Sequence, residues 1–215
     1  NKYSAIETPT WCLLLAESCR SVGYNVAIMD TTAENLSDQE SADRIANLNP
    51  RIVCFVVYGQ NVNAGTVNMS GAVRLSKAVK NHGIKSPICF VGSHMSALPY
   101  ETLEKEDSVD VVLTNDGVYA LWSLLSCEDF SNETLKNIKG IGFRQDGKPF
   151  LTPPQRPVPQ DRMDFDLPGY AWDLLPYKEK PLDLYRSPMW HAGYVDENRS
   201  PYAAIQTSLG CQFKC

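Results

Sequence analysis

Short apolar runs alternate with segments of helical periodicity through the first half of the chain. Apolar side chains recur at helical spacing from Pro9 to Val22, which predicts a helix opened by the proline. Residues 25–29 form a short apolar run that predicts a strand. Ser37 and Glu40 form a capping-box pattern at the start of a second helix. The order helix, strand, helix is typical of an α/β protein.

The next strands are predicted at residues 52–57, 88–91 and 109–113, with helical segments between them. The run at 52–57 is apolar throughout, as expected of a parallel strand buried on both faces, and we expect it at the centre of the sheet. A polar loop at residues 58–65 precedes a helix that runs to about residue 81. The alternation predicts an α/β fold with a doubly wound, flavodoxin-like or Rossmann-like parallel sheet.

Three polar loops follow the carboxyl ends of these strands, at residues 58–63, 92–96 and 114–117. Doubly wound sheets bind ligands at this edge, where the strand order switches. Each loop combines glycine with small or polar side chains, so its backbone amides can approach a bulky ligand. One such loop alone is an ordinary turn, but three together predict a binding site.

The pattern changes after residue 128. Residues 129–152 include a β-hairpin with its turn at Asp146 and Gly147. Residues 153–202 are first proline-rich and then aromatic, as expected of a linker whose tryptophans and tyrosines pack between domains. Residues 203–215 begin with a short apolar run that predicts a buried strand. We therefore expect one α/β domain over residues 1–128, followed by these three parts.

Composition and charge exclude several classes of protein. The 215 residues are 43% hydrophobic, enough for a sizeable core. No apolar run approaches the 18 residues of a membrane span, and the N-terminus lacks the basic segment and apolar core of a signal peptide. A net charge of -5 argues against a nucleic-acid partner. Cys12, Cys19, Cys54 and Cys89 fall on apolar faces, which suits reduced thiols in a cytoplasmic protein. Because the chain starts at Asn1 and stops inside a motif, we expect it to be part of a longer protein, with a further strand before Asn1.

The last residues, TSLGCQFKC at 207–215, are similar to the cluster loop of radical S-adenosylmethionine (SAM) enzymes, [ST]-x-G-C-x3-C-x2-C. Ser208, Gly210, Cys211 and Cys215 match that pattern. The resemblance implies that residues 203–215 are the start of a radical SAM barrel and include its first strand. The resemblance implies that Cys211 and Cys215 ligate a 4Fe-4S cluster, with a third cysteine after Cys215 and one iron left open for SAM. Two alternatives remain: a pair of ordinary thiols, or a zinc site that would need two more ligands.

A second resemblance covers most of the chain. The stretch VGSHMSALP at 91–99 resembles the G-G-P-H-x-[ST]-A-L-P loop of cobalamin-binding domains that precede radical SAM barrels, and TNDG at 114–117 is similar to their R-G-E-G turn. Residues 9–30 and 138–147 resemble two further motifs of that family. Residues 164–175 resemble its segment D-x-L-P-x-P-A-W-D-L-L.

This resemblance implies a set of cobalamin contacts in the three loops. They are Tyr58, Gly59, Gln60, Asn61, Gly92, Ser93, His94, Asn115, Asp116 and Gly117. The chain departs from the pattern at Val91 and Ser93, which replace a glycine and a proline, and it lacks the D-x-H-x-x-G motif that supplies a cobalt ligand in other carriers. We expect His94 to contact the cofactor's tail, or a residue beside it, rather than cobalt.

The resemblance implies the cobalamin-binding portion of a radical SAM enzyme with three cofactors: cobalamin, a 4Fe-4S cluster and SAM. In such enzymes a 5′-deoxyadenosyl radical takes hydrogen from an unactivated substrate position and methylcobalamin supplies the methyl group. The implied partners are a small-molecule or biosynthetic-intermediate substrate and an electron donor such as flavodoxin or ferredoxin. No residue of the chain is a convincing acid, base or nucleophile.

Two other functions stay open. The same cofactors support rearrangement or cyclisation without methyl transfer in some members of the superfamily. From a different class, the fold also suits a flavodoxin-like ligand-binding module without catalysis.

Overall fold

The computed structural model describes residues 5–59, 62–179, 184–186 and 202–210. Eight α-helices are found among them: α1 (Thr10–Ser21), α2 (Asp38–Leu48), α3 (Val62–Asn81), α4 (Ser93–Ala97), α5 (Pro99–Lys105), α6 (Val118–Ser126), α7 (Asn132–Leu135) and α8 (Met163–Asp166). The strands are β1 (Val53–Val56), β2 (Ile88–Val91), β3 (Val111–Leu113), β4 (Ile141–Gln145) and β5 (Lys148–Leu151). Short 3-10 turns at Gln160–Arg162 and Trp172–Leu174 complete the described elements.

The five strands form one mixed sheet in the order β1-β2-β3-β4-β5. The first three are parallel, with Cys54 opposite Cys89 and Val91 opposite Leu113. β4 pairs antiparallel with β3, so the predicted hairpin extends the same sheet. Its turn has positive φ at both Asp146 (52°) and Gly147 (77°), the type I′ geometry that matches the twist of paired strands.

Helices cover the sheet on both faces, as the doubly wound prediction requires. One apolar cluster joins α1 and α6 to strand residues such as Cys89, Val91 and Leu113. The opposite cluster joins α2, α3 and α5 to Ile88 and Phe90. Neighbouring strand residues enter opposite clusters because successive side chains of a strand point to opposite faces. The α/β fold class is therefore confirmed.

The proline and capping-box signals in the sequence predicted the starts of the first two helices correctly. α1 begins directly after Pro9, and α2 carries the predicted capping box, in which Ser37 and Glu40 satisfy each other's backbone amides. Helix α2 ends at Leu48, and Asn49 follows it in the left-handed conformation. The loop after β1 is shorter than predicted, because α3 already starts at Val62.

Two strand predictions were wrong. Residues 25–29 join no sheet, since their backbone makes no ladder within the described part of the chain. Residues 203–207 form no strand either, and Ile205 is 62% exposed. An apolar run becomes a strand only when a neighbouring backbone accepts its amides.

The position of β1 also differs from expectation. It is an edge strand of the described sheet, with half-buried residues, rather than a central one. The described strands follow chain order, so the expected switch of strand order is not found among them. The edge position of β1 follows from the unpaired state of residues 25–29, which were expected to lie beside it.

The remaining predictions concern cysteines and membrane spans. Cys12, Cys19, Cys54 and Cys89 are free thiols, as predicted, and Cys19 and Cys89 are buried. Within the described residues, no helix combines the length and apolarity needed to cross a bilayer.

Candidate functional site

The three predicted loops meet at one edge of the sheet. β1, β2 and β3 are parallel, so the residues that follow them emerge side by side. The amide of Val57 donates to the carbonyl oxygen of Val91 (2.8 Å), which ties the first loop to the second. The structure thus brings Tyr58, Gly59, Gly92, Ser93, His94, Asn115, Asp116 and Gly117 to this edge. Gln60 and Asn61 lie outside the described residues.

Two glycines at this edge are needed for packing between the loops. Gly92 has φ 154°, and a Cβ there would overlap the carbonyl oxygen of Val57. Gly117 has φ 86°, and a Cβ there would lie 2.8 Å from Cγ2 of Val91. We expected glycine to open space for a ligand, but at these two positions the protein itself fills that space. The glycines bring the three loops close together, and this closeness defines the edge.

Tyr58 lies at the start of the first loop, packed against Trp11 of α1. The ring centroids are 5.8 Å apart and the planes are inclined by 53°. Burial, with a smaller effect from the nearby Asp116 carboxylate, raises the pKa of Tyr58 to about 12. Its phenol is therefore neutral at physiological pH and can donate a hydrogen bond.

The side chains of the third loop are used inside the protein. Asp116 accepts hydrogen bonds from the amides of Val118 (3.1 Å) and Val158 (3.1 Å). Asn115 donates to the carbonyl oxygen of Gln155 (3.0 Å) and accepts from the amide of Gly117. Burial raises the pKa of Asp116, while the two amides oppose that shift. These two side chains bind the start of helix α6 and the linker. The polar side chains available to a ligand at this edge therefore come from the first two loops.

His94 lies on α4 beside the first turns of α3. Its Nδ1 is 3.2 Å from Oγ1 of Thr66. A Cβ at Gly65 would overlap Oγ of Ser93, so α3 packs closely against the second loop. These contacts fix the orientation of the imidazole at the edge.

The linker runs along α6 and is fastened there by a buried carboxylate. Asp166 is 4% exposed; it accepts from the hydroxyl of Tyr119 (2.6 Å) and pairs with Arg162 (2.7 Å). The Arg162 guanidinium, with a smaller contribution from Tyr119, lowers the pKa of Asp166. The proline-rich segment is therefore docked on the α/β domain along this helix.

The chain then returns to the edge that carries the three loops. The amide of Ala204 donates to Oγ1 of Thr8 (3.0 Å), directly before Pro9 and α1. Leu209 packs against the apolar cluster that contains Trp11, and Tyr58 packs against that same cluster. Leu209 is two positions before Cys211 in the sequence. Cys211 and Cys215, the predicted cluster ligands, lie outside the described residues.

Sequence reasoning missed several residues that build this edge. Trp11 looked like an ordinary core residue of α1, Thr66 lay in a stretch assigned to a helix, and Thr8 lay in a loop without periodicity. Tyr170 was assigned to interdomain packing. Their roles depend on contacts between distant parts of the chain, for which the sequence carries no local signal. No group of three or more His, Cys, Asp or Glu side chains in the described residues is arranged to hold a metal ion.

A doubly wound α/β domain whose loops converge at the carboxyl edge of its sheet is the framework of a cofactor-binding domain. The B12 binding domain family model matches residues 1–125. This match covers more than half of the chain, and the chain belongs to that family.

Two known proteins are similar to the chain. The hopanoid C-3 methylase of Methylococcus capsulatus (strain Bath) is 30% identical over 209 residues, which are 94% of this chain and 34% of the methylase. The chain therefore spans about a third of that relative. The cobalamin-dependent S-adenosylmethionine radical enzyme OxsB, solved with aqua-cobalamin and S-adenosylmethionine bound, has a similar fold with a TM-score of 0.52 at 15% identity. The match covers 74% of this chain and 23% of OxsB.

Proposed function

We propose that this chain is the cobalamin-binding portion of a radical SAM enzyme that transfers a methyl group from methylcobalamin to an unactivated position of a small-molecule substrate. The observation that carries the proposal is the hydrogen bond from the amide of Ala204 to Oγ1 of Thr8 (3.0 Å), three positions before Trp11. The Trp11 ring lies 5.8 Å from that of Tyr58, between centroids, and its Nε1 donates to the main-chain oxygen of Asp116 (2.9 Å). The residues leading to Cys211 therefore lie beside the edge where the family's cofactor is expected. A cluster and a cobalamin bound there would be close neighbours.

The side chains of the edge suit a corrin, which is a broad, largely apolar ring fringed with amide groups. Trp11 and Tyr58 supply apolar surface, and the neutral Tyr58 phenol can donate to an amide oxygen. His94 can contact the tail of the cofactor through the ring nitrogen that does not face Thr66. A Cβ at Gly59 would overlap Cβ of Ala64, so glycine at this position lets the first loop pack against α3. These residues would bind and orient the cofactor, and we assign none of them to the cobalt.

The remaining chemistry belongs to the cofactors. When bound, the cluster and SAM supply a radical that removes hydrogen, and methylcobalamin supplies the methyl group. Cys211 and Cys215 would hold irons of the cluster, an electron donor such as flavodoxin or ferredoxin would reduce it, and the docked linker would keep the two sites at a fixed spacing. Methyl transfer is favoured over rearrangement because the similar protein from Methylococcus capsulatus is named as a methylase.

A cofactor-retention experiment tests this function. The full-length protein is reconstituted anaerobically with iron and sulfide, incubated with hydroxocobalamin, desalted and examined by visible spectroscopy. We expect retained cobalamin together with a broad iron–sulfur absorption. A Cys211→Ala/Cys215→Ala variant should lose the iron–sulfur absorption and keep the cobalamin.

A matched pair of tyrosine variants tests the location of the cobalamin site. Tyr58→Phe should weaken cobalamin retention several-fold, because it removes one hydrogen-bond donor at the edge. Tyr24→Phe is the control, since Tyr24 packs against the same apolar cluster from the other end of α1. Failure of the unmodified protein to retain cobalamin would overturn the proposed function.

A further inference from the structure

The segment that precedes Cys211 is held in an unusual way. Residues 203, 205, 206, 207 and 208 are exposed, so burial of side chains contributes little to fixing their position. Instead, two hydroxyl groups bind its backbone. The Tyr170 hydroxyl accepts from the amide of Gln206 (2.7 Å) and donates to the carbonyl oxygen of the same residue (3.0 Å), while Thr8 accepts from the amide of Ala204 (3.0 Å).

Tyr170 occupies the place that a neighbouring strand would take. One phenol satisfies both the donor and the acceptor of Gln206, as a paired residue does in an antiparallel ladder. This explains how an apolar run that joins no sheet can still have a defined path. Tyr170 is therefore a substitute for the missing strand partner at this position.

Tyr170 itself is firmly attached to helix α1. Its ring stacks on Trp172 with centroids 5.2 Å apart and packs against the apolar cluster of Trp11. The next residue, Ala171, is fully buried, and its amide donates to the carbonyl oxygen of Leu13 (3.3 Å). The Tyr170 hydroxyl is thus held in a fixed position relative to α1, the helix that carries Trp11.

We propose that Tyr170, assisted by Thr8, is a positioning residue that sets the spacing between the iron–sulfur cluster and the cobalamin. It does so by fixing the backbone of Gln206, five positions before Cys211, relative to the carboxyl edge of the sheet. The inference rests on the proposed function.

The test compares three variants of the full-length protein. Tyr170→Phe keeps the ring and removes both hydrogen bonds to Gln206. Thr8→Val keeps the side-chain shape and removes the acceptor of Ala204, so it tests the same role if Tyr170→Phe folds poorly. Tyr24→Phe is the matched control, a half-buried tyrosine of the same apolar cluster that lies away from residues 202–210.

Two readouts separate positioning from general stability. Hydrogen exchange of the Gln206 amide should become about tenfold faster in Tyr170→Phe and stay unchanged in Tyr24→Phe. With the cluster reduced and the cobalamin in its cobalt(II) state, the magnetic dipolar interaction between the two centres reports their separation. It should change or broaden in Tyr170→Phe and in Thr8→Val, while iron and cobalamin contents stay within about 20% of the unmodified protein.

The outcomes distinguish the two proposals. Unchanged dipolar interaction in both variants, with both cofactors bound, would overturn the positioning role and leave the proposed function intact. An unmodified protein that binds only one cofactor, or neither, would overturn the proposed function and the positioning role together. A change of the same size in Tyr24→Phe would also overturn the positioning role, because the effect would then be one of general packing.

Discussion

The indole Nε1 of Trp11 donates a hydrogen bond to the main-chain oxygen of Asp116, 2.9 Å away, across 105 positions of sequence. This contact joins the first turn of α1 to the third loop of the candidate site. The ring of Trp11 meanwhile supports Tyr58 in the first loop. One side chain thus fixes two of the three loops relative to each other.

Trp11→Phe should weaken both stability and cobalamin binding. Loss of the donor leaves a half-buried carbonyl oxygen without its partner, which should lower the free energy of unfolding by about 1–2 kcal/mol. Cobalamin affinity should fall several-fold because the first and third loops are no longer tied together. Urea unfolding and equilibrium dialysis measure the two effects. Trp122→Phe is the control: it removes a comparable bond to Ser18 (3.1 Å) on α1, away from the edge, and should lower stability alone.

Gly92→Ala should be strongly destabilising. A methyl group there would overlap the carbonyl oxygen of Val57, and φ 154° is unfavourable for any side chain. We expect a loss of about 2–4 kcal/mol in thermal or urea unfolding. Gly71→Ala, in the exposed middle of α3, meets no atom within 4 Å and should stabilise the protein by about 0.5–1 kcal/mol. Equal effects of the two changes would contradict the close packing of the loops.

Asp30 should make stability fall as pH rises. Burial raises the pKa of its carboxyl above the ordinary value of 3.8, although the amides of Ala33 and Thr32 and the Tyr185 hydroxyl oppose the shift. A raised pKa in the folded state favours the protonated form, so the contribution to stability is complete below pH 3.8 and is lost as pH rises through the folded pKa. Asp30→Asn keeps the acceptor oxygen, and its stability relative to the unmodified protein should increase between pH 3 and pH 7.

Asp129 provides a control of opposite sign for that experiment. Hydrogen bonds from Ser131 and Thr134 lower its pKa to about 2, so its contribution is present above pH 3.8 and is lost as pH falls toward 2. Asp129→Asn should therefore lose stability relative to the unmodified protein over the same rise in pH. Urea unfolding at several pH values measures the stability of both variants. If both stability differences changed with pH in the same direction, the pKa shifts assigned to Asp30 and Asp129 would be wrong.

The four cysteines between α1 and the sheet, of which Cys19 and Cys89 are buried, should be unreactive in the folded protein. Burial, together with neighbouring thiols, raises the pKa of Cys12 and Cys19 to about 12, and the pKa of Cys54 is raised by its hydrogen bond to Cys89 and by burial. Cys12, Cys19, Cys54 and Cys89 should be modified by a thiol reagent at least about a hundredfold more slowly in the folded protein than in urea, as followed for each cysteine by peptide mass spectrometry, with the half-buried Cys127 as a comparison. Rapid modification of these four cysteines in the folded protein would show that α1 does not cover the sheet as described.

The sequence predicted those parts of the fold that depend on local signals. The capping box of Ser37 and Glu40 and the turn at Asp146 and Gly147 each act within a few residues, and both formed as predicted. The alternation of strands and helices also sufficed to place three loops at one edge, because parallel strands leave no other arrangement. Strand pairing was less predictable: residues 25–29 and 203–207 are apolar enough for strands, yet neither has a backbone partner in the described residues.

By itself, the sequence determined the α/β class, the hairpin, the edge of the sheet that carries the loops and the resemblance to cobalamin-binding domains. Only the tertiary structure decided how that edge is built. Asn115 and Asp116 form hydrogen bonds with the linker. Trp11 packs against Tyr58, and the Tyr170 hydroxyl binds the backbone of Gln206. The physical reason is the range of the interactions. Periodicity and capping act between neighbours in the chain, whereas a hydroxyl or an indole finds its partner only after distant segments have packed.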